Sequence, residues 1–173
     1  MKRVNTSKLA RGAVIAALYA LVTTAPVLNT LGYGSIQFRV SEALNVLAFF
    51  EPAAIPGLFV GCIIANGIGV LQGVNPLGTP DVIFGSLLTL VSAYLVWKIK
   101  RPAVALLAPV LINAFGVALE LKVILGVPYL ASALYVGIGE AAVIYGLGYP
   151  LLVALLKNKA LIREEVFIQK TGR

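Results

Sequence analysis

Charge-free apolar runs, separated by short polar or charged breaks, follow one another along the whole chain. A helix needs roughly 20 residues to cross the hydrocarbon core of a bilayer. Runs of that kind predict passages at about 9–28, 40–50, 53–71, 81–98, 102–121 and 129–156. The second is short for a crossing at about 1.5 Å per residue; either 36–50 is used or that helix does not cross fully. Glu51-Pro52 reads as a tight turn, with proline tolerated at the first helical position of the third passage. The sixth run is long, and Gly146, Gly148 and Pro150 are places where it can kink. The expected fold is an all-α integral membrane protein, a single transmembrane domain over residues 1–173 built as a bundle of six transmembrane helices.

Composition agrees. Of 173 residues, 60% are hydrophobic and 12% charged, with a mean hydropathy of +0.95. This excludes a soluble globular domain, a disordered chain and a coiled coil. The chain has no histidine, which removes Ser-His-Asp and Cys-His catalysis and histidine-ligated metals. The single cysteine, Cys62, cannot form an intramolecular disulfide or a cysteine-rich metal site. No Gly-x-x-x-x-Gly-Lys-Ser/Thr stretch occurs, so the chain has no P-loop. A non-enzyme without metal or cofactor is expected, with any energised work driven by a partner or an ion gradient. The basic stretch 1–11 resembles the start of a signal peptide, but no small-residue cleavage pattern follows, and it reads as the start of a retained first span.

The net charge of +7 sorts by side. Lys2, Arg3, Lys8 and Arg11 precede the first span, Lys98, Lys100 and Arg101 lie between the fourth and fifth, and Lys157, Lys159, Arg163, Lys170 and Arg173 follow the sixth. Only Arg39 and Lys122 fall on the other side. By the positive-inside rule the N- and C-termini are cytoplasmic. The charge is a topology signal, and nucleic acid is not an expected partner. Trp97 beside Lys98 reads as an anchor at the inner interface.

The acidic residues sort differently. Glu164 and Glu165 belong to the tail and Glu51 to the inner turn, which leaves Glu42, Asp81, Glu120 and Glu140 in the outer half. A charged side chain at the bilayer centre costs roughly 2.5–3.5 kcal/mol on insertion scales, and such residues face a cavity, a partner or a ligand. Glu42 and Asp81 also suit plain helix capping, and Glu120 suits an interfacial pair with Lys122 or Arg39. Glu140, near mid-membrane, is hardest to explain structurally. Asn113 and Glu120, seven apart, share a helix face, as do Glu42 and Asn45. Tyr33, Gln37, Phe38 and Arg39 lie in an outer loop long enough to fold over a pocket. Carboxylates, amides and aromatic rings together suit a planar, nitrogen-rich heterocycle or a cation.

Two helices carry rows of small residues. In the first, Gly12, Ala16 and Ala20 recur every four positions, with Ala13 and Ala17 as a second row; in the third, Gly57, Gly61, Ala65 and Gly69 do so. Such surfaces let helices approach closely. The third-helix row suits packing inside the bundle, while two rows on the first helix exceed what one internal neighbour needs and suit docking by another membrane protein.

The stretches Ile36-Gln37-Phe38-Arg39-Val40-Ser41-Glu42-Ala43-Leu44, then Pro52 through Cys62 and on to Asn66, and then Asp81 through Leu90, resemble the QueT family over about residues 8–156. One departure is Leu47-Ala48 where the family pattern has Leu-Pro. The resemblance implies a substrate-binding S-component of an energy-coupling factor (ECF) importer in a prokaryotic plasma membrane. Such a protein captures a queuosine precursor, a 7-deazaguanine, from outside beneath the first loop. Its implied partners are a transmembrane coupling subunit and two cytoplasmic ATPases that use the ATP. The coupling subunit contacts the small-residue rows of the first span, here Gly12, Ala13, Ala16, Ala17 and Ala20. For the ligand, Glu140 or Glu120 is expected on the ring's N–H and amino edge and Asn113 on its carbonyl. Glu42 and Asp81 would complete a polar wall or receive a substrate amine where one exists, Asn45 and Arg39 are also expected to bind substrate, and Phe38 or Phe84 would stack on the ring. Alternatives are an S-component for another vitamin or purine-like compound, and a self-sufficient secondary transporter.

Overall fold

The computed structural model describes residues 6–34 and 36–157, and every regular element among them is helical. In order these are α1 (Thr6–Thr24), α2 (Pro26–Gly32), a 3₁₀ helix (Val40–Phe49), α3 (Ala54–Leu71), α4 (Thr79–Lys98), α5 (Pro102–Ala105), α6 (Leu107–Leu125), α7 (Tyr129–Val143), a π turn (Ile144–Gly148) and α8 (Tyr149–Lys157). Of the charges sorted above by side, Lys2, Arg3, Lys159, Arg163, Glu164, Glu165, Lys170 and Arg173 lie outside the described residues.

Among the described residues, four stretches are long and apolar enough to cross a membrane: Ala54–Leu71, Thr79–Lys98, Pro102–Leu125 and Tyr129–Lys157. The pair α1 and α2 makes a fifth if it is taken as one span despite an 83° bend. Six apolar runs were expected, and the first two account for the difference. The continuous first span over 9–28 is corrected: Pro26 disfavours helical backbone at the residue before it, and Ala25 is extended (φ −57°, ψ 131°), so the chain turns there. The second run is not an α-helix. Its ten residues form a 3₁₀ helix, which at about 2.0 Å per residue reaches roughly 20 Å, some 5 Å further than the same residues in α form. The break anticipated in the sixth run is the π turn just ahead of Pro150.

The 3₁₀ helix is the axis of the bundle. Seven of its residues are buried, including Glu42, Asn45, Val46 and Phe49. Around it α1 runs parallel to α3, Gly12 meeting Gly57 and Ala16 meeting Gly61, while α3–α4 and α6–α7 pair antiparallel. A Cβ on Gly57 would stand 2.6 Å from the Gly12 carbonyl oxygen, and one on Gly61 2.8 Å from that of Ala16. The small-residue rows of α1 and α3 therefore face each other. Gly12, Ala16 and Ala20 are used inside the bundle, whereas Ala13 and Ala17 are exposed.

The bundle is apolar on its surface and carries a layer of polar residues inside its apolar core. Leu18, Leu21, Ile83, Leu111, Leu119 and Leu134 are exposed on the bundle surface, while Glu42, Asn45, Asn66, Asp81 and Glu140 are buried. A surface this apolar is stable only when its surroundings are apolar too. A large apolar cluster around Val46, Phe49, Leu58, Val96, Leu106 and Ile144 fills the half of the bundle nearer Arg11 and Glu51. A small one, Leu77, Val117 and Val136, lies toward the α6–α7 turn. The polar residues form a layer between them.

Candidate functional site

Glu42 is the best-held member of that layer. One carboxylate oxygen accepts from the Tyr19 hydroxyl; the other accepts from Asn45 Nδ2 at 2.6 Å and Asn113 Nδ2 at 3.3 Å. Tyr19 is fixed in turn by the neighbouring turn of α1, where Thr23 donates to the Tyr19 carbonyl at 2.8 Å and bonds Ser41 at 2.6 Å. Asn113 also donates to Glu140 Oε1 at 3.0 Å. Asn113 thus ties the central helix to α6 and α7 together.

A second network surrounds Asp81 in the first turn of α4. Arg39 Nη2 lies 3.8 Å from Asp81 Oδ2, which also accepts from Asn75 Nδ2 at 2.8 Å. Asn66 Nδ2 donates to the Asp81 carbonyl at 2.8 Å, and Asn66 Oδ1 accepts from the Tyr33 hydroxyl at 3.0 Å. Gly85 leaves room for the Asp81 side chain, since a Cβ there would stand 2.0 Å from Asp81 Oδ1. The Arg39 guanidinium stacks 5.0 Å from the Tyr33 ring centroid. Burial pushes the Tyr33 hydroxyl up to about 12, with Arg39 opposing, so it stays a neutral donor.

Glu120 and Glu140 are held less well. Glu42 and Asp81 are each 1% exposed, Glu140 3% and Glu120 8%, yet both oxygens of Glu120 and Oε2 of Glu140 have no hydrogen-bond partner. Glu120 lies beside Asp81, and this pair has a donor between its two carboxyl groups only when one of them holds a proton. Asn45 Oδ1 is a further buried, unpartnered acceptor and Arg39 Nε a buried, unpartnered donor. Buried polar groups in folded proteins are nearly always partnered, and each one left open costs about 1–3 kcal/mol or more if charged. Unpartnered acceptors gathered in one layer are matched by a ligand rich in N–H donors.

Eight of the nine residues expected in a ligand site are thereby located in or beside one layer: Glu42, Asn45, Asp81, Asn113, Glu120, Glu140, Arg39 and, half-buried in the segment leading to Arg39, Phe38. Phe84 is not among them. It is 59% exposed, because the buried face of α4 runs through Asp81, Gly85, Thr89, Ser92 and Val96 and leaves Phe84 on the outer flank. Helix capping does not account for Asp81 or Glu42, whose side chains bond other elements. Lys122 is exposed and forms no ion pair with Glu120. Tyr19, Asn66 and Asn75 are members that sequence reasoning did not assign. Tyr19 and Thr23, four apart and the polar side chains in the otherwise apolar stretch 12–23, were the available signal for one; a lone amide amid the apolar α3 was the signal for another.

The segment 36–39 covers the layer. Gln37 backbone lies against Gly139, one residue before Glu140; a Cβ on Gly139 would stand 2.5 Å from the Gln37 carbonyl oxygen. Beyond it a cleft of about 430 Å³ opens between Tyr33, Gln37, Leu121, Ser132 and Tyr135, a size suited to a small molecule.

Several long apolar helices with apolar side chains on the bundle surface define a multi-pass membrane protein. The chain belongs to the QueT transporter family, whose profile matches residues 9–157. The queuosine precursor transporter QueT of Lactococcus lactis subsp. cremoris (strain MG1363) is 33% identical over 159 residues, covering 84% of this chain and 90% of that protein. No solved structure matches. Family and relative indicate transport rather than catalysis.

Proposed function

We propose that the protein is the substrate-binding S-component of an ECF-type importer and captures a 7-deazaguanine precursor of queuosine. The single observation that carries the ligand assignment is the set of buried, unpartnered acceptors on Glu140, Glu120 and Asn45. The N1–H and 2-amino group of a deazaguanine form a donor edge that one carboxylate grips with two bonds. Glu140 takes that edge, and Arg39 Nε is the buried, unpartnered donor available to the ring's acceptors, while Asn113, whose two amide N–H groups go to Glu42 and Glu140, holds Glu140 in place. The similarity to a queuosine precursor transporter supports the same class.

In this reading the bundle crosses the plasma membrane six times, the 3₁₀ helix making the second passage, with both termini in the cytoplasm as the placement of basic residues favours. The α6–α7 turn then faces outward, and substrate enters through the cleft beneath segment 36–39. No P-loop is present, so ATP is used by partners: a transmembrane coupling subunit docks on the exposed Ala13 and Ala17 of α1, and two cytoplasmic ATPases drive delivery. Uptake of labelled precursor in cells with and without the coupling ATPases tests this. Uptake that survives loss of the ATPases would favour the self-sufficient secondary transporter instead.

A further inference from the structure

We infer that Glu120 receives a positively charged amine on the ligand, at the end remote from the edge gripped by Glu140, and so selects amine-bearing deazaguanines; this rests on the ligand class proposed above. Glu120 lies seven residues beyond Asn113, the residue that holds Glu140, a displacement of about 10 Å along α6. The two carboxylates with open lone pairs therefore stand at two depths of one helical hairpin. Glu140 is the deeper, and Glu120 the one nearer the cleft, which its neighbour Leu121 lines.

Charge sets the kind of group that Glu120 takes. The charged residues that face it are Asp81 and Arg39, and Arg39 is already engaged by Asp81 and the Tyr33 ring. Lys122, two residues on, is exposed. Among the described residues, four buried carboxyl groups, on Glu42, Asp81, Glu120 and Glu140, thus share one buried guanidinium, that of Arg39. Buried charge without a partner is strongly unfavourable, more so in a bilayer. An ammonium brings three donors, no acceptor and one positive charge, so it satisfies Glu120 and Asp81 together. A nitrile at the same place brings only an acceptor, which meets the carboxylates lone pair to lone pair.

The test is calorimetric titration of the full-length protein in detergent with the aminomethyl and the nitrile 7-deazaguanines. The aminomethyl form should bind about ten-fold tighter or better, the scale of a charge-assisted contact. Glu120→Gln should collapse that preference, and Glu120→Asp should keep part of it. Equal affinity of the unmodified protein for both compounds overturns the inference and leaves the ligand class standing. So does a Glu120→Gln protein that weakens both in the same proportion. If the folded protein binds neither compound, the ligand class and the inference fall together. Should Glu120→Gln not fold, the preference of the unmodified protein and its change in Glu120→Asp still decide.

Discussion

Asn113 on α6 donates to Glu140 on α7 at 3.0 Å, and through the same amide reaches Glu42 on the central 3₁₀ helix at 3.3 Å. One neutral side chain therefore keeps two buried carboxylates apart and holds one of them ready for a donor-rich ligand. Asn113→Ala removes the donor from both. Thermal unfolding in detergent should show a loss of about 1–3 kcal/mol, with weaker binding of deazaguanine as well. Unchanged stability would mean that the amide bridges nothing in solution.

Gly139 sets how closely segment 36–39 lies over Glu140. A methyl group at this position meets the Gln37 carbonyl oxygen at 2.5 Å, a backbone atom that moves only if the segment lifts. Gly139→Ala should weaken ligand affinity about ten-fold, or ~1.4 kcal/mol. The fold should remain, since α7 itself tolerates alanine. Equilibrium binding and far-UV circular dichroism on the same sample separate the two.

Arg39 and Asp81 form a buried ion pair, and removing one partner of such a pair typically costs about 3–5 kcal/mol. Arg39→Gln should therefore destabilise the protein strongly. In the double variant with Asp81→Asn part of the loss should be regained, by a coupling of about 0.5–3 kcal/mol. Additive losses in the double-mutant cycle would show that the 3.8 Å contact carries no energy.

The two rows on α1 separate packing from docking. Ala16 is buried against α3, and Gly61 approaches its carbonyl so closely that a Cβ would be 2.8 Å away. Gly61→Val should push α1 off α3, displace Tyr19 from Glu42 and cost about 1–3 kcal/mol or more. Ala17 is exposed, and Ala17→Leu should change stability by under about 0.5 kcal/mol. It should leave ligand affinity intact while lowering uptake by the assembled importer. Full uptake with Ala17→Leu would place the docking surface elsewhere.

The helical class and the polar layer were legible because charge is costly in a bilayer, so four carboxylates in apolar runs point to one interior. Asn113 with Glu120 and Glu42 with Asn45 also read correctly as pairs on one helix face. What periodicity could not supply was helix type: the run from Val40 to Phe49 has the same apolar character as α or 3₁₀, and only the packing around it selects the longer form. Phe84 went astray for a related reason. It was expected to stack on the ligand ring, while the helical phase of α4 turns it to the outside. Likewise Gly12, Ala16 and Ala20 could serve an internal or an external partner equally well, and α3 is what Gly12 and Ala16 pack against.

The central claim is that this chain alone binds a deazaguanine through the buried acceptors of its polar layer. Calorimetric titration of the purified protein, without coupling subunit or ATPases, tests it most directly, with guanine and riboflavin as controls and Glu140→Gln in parallel. One-to-one binding of a deazaguanine that is sharply weakened in Glu140→Gln is the expected result. A folded protein that binds no deazaguanine, or binds it equally well without the Glu140 carboxylate, contradicts the claim.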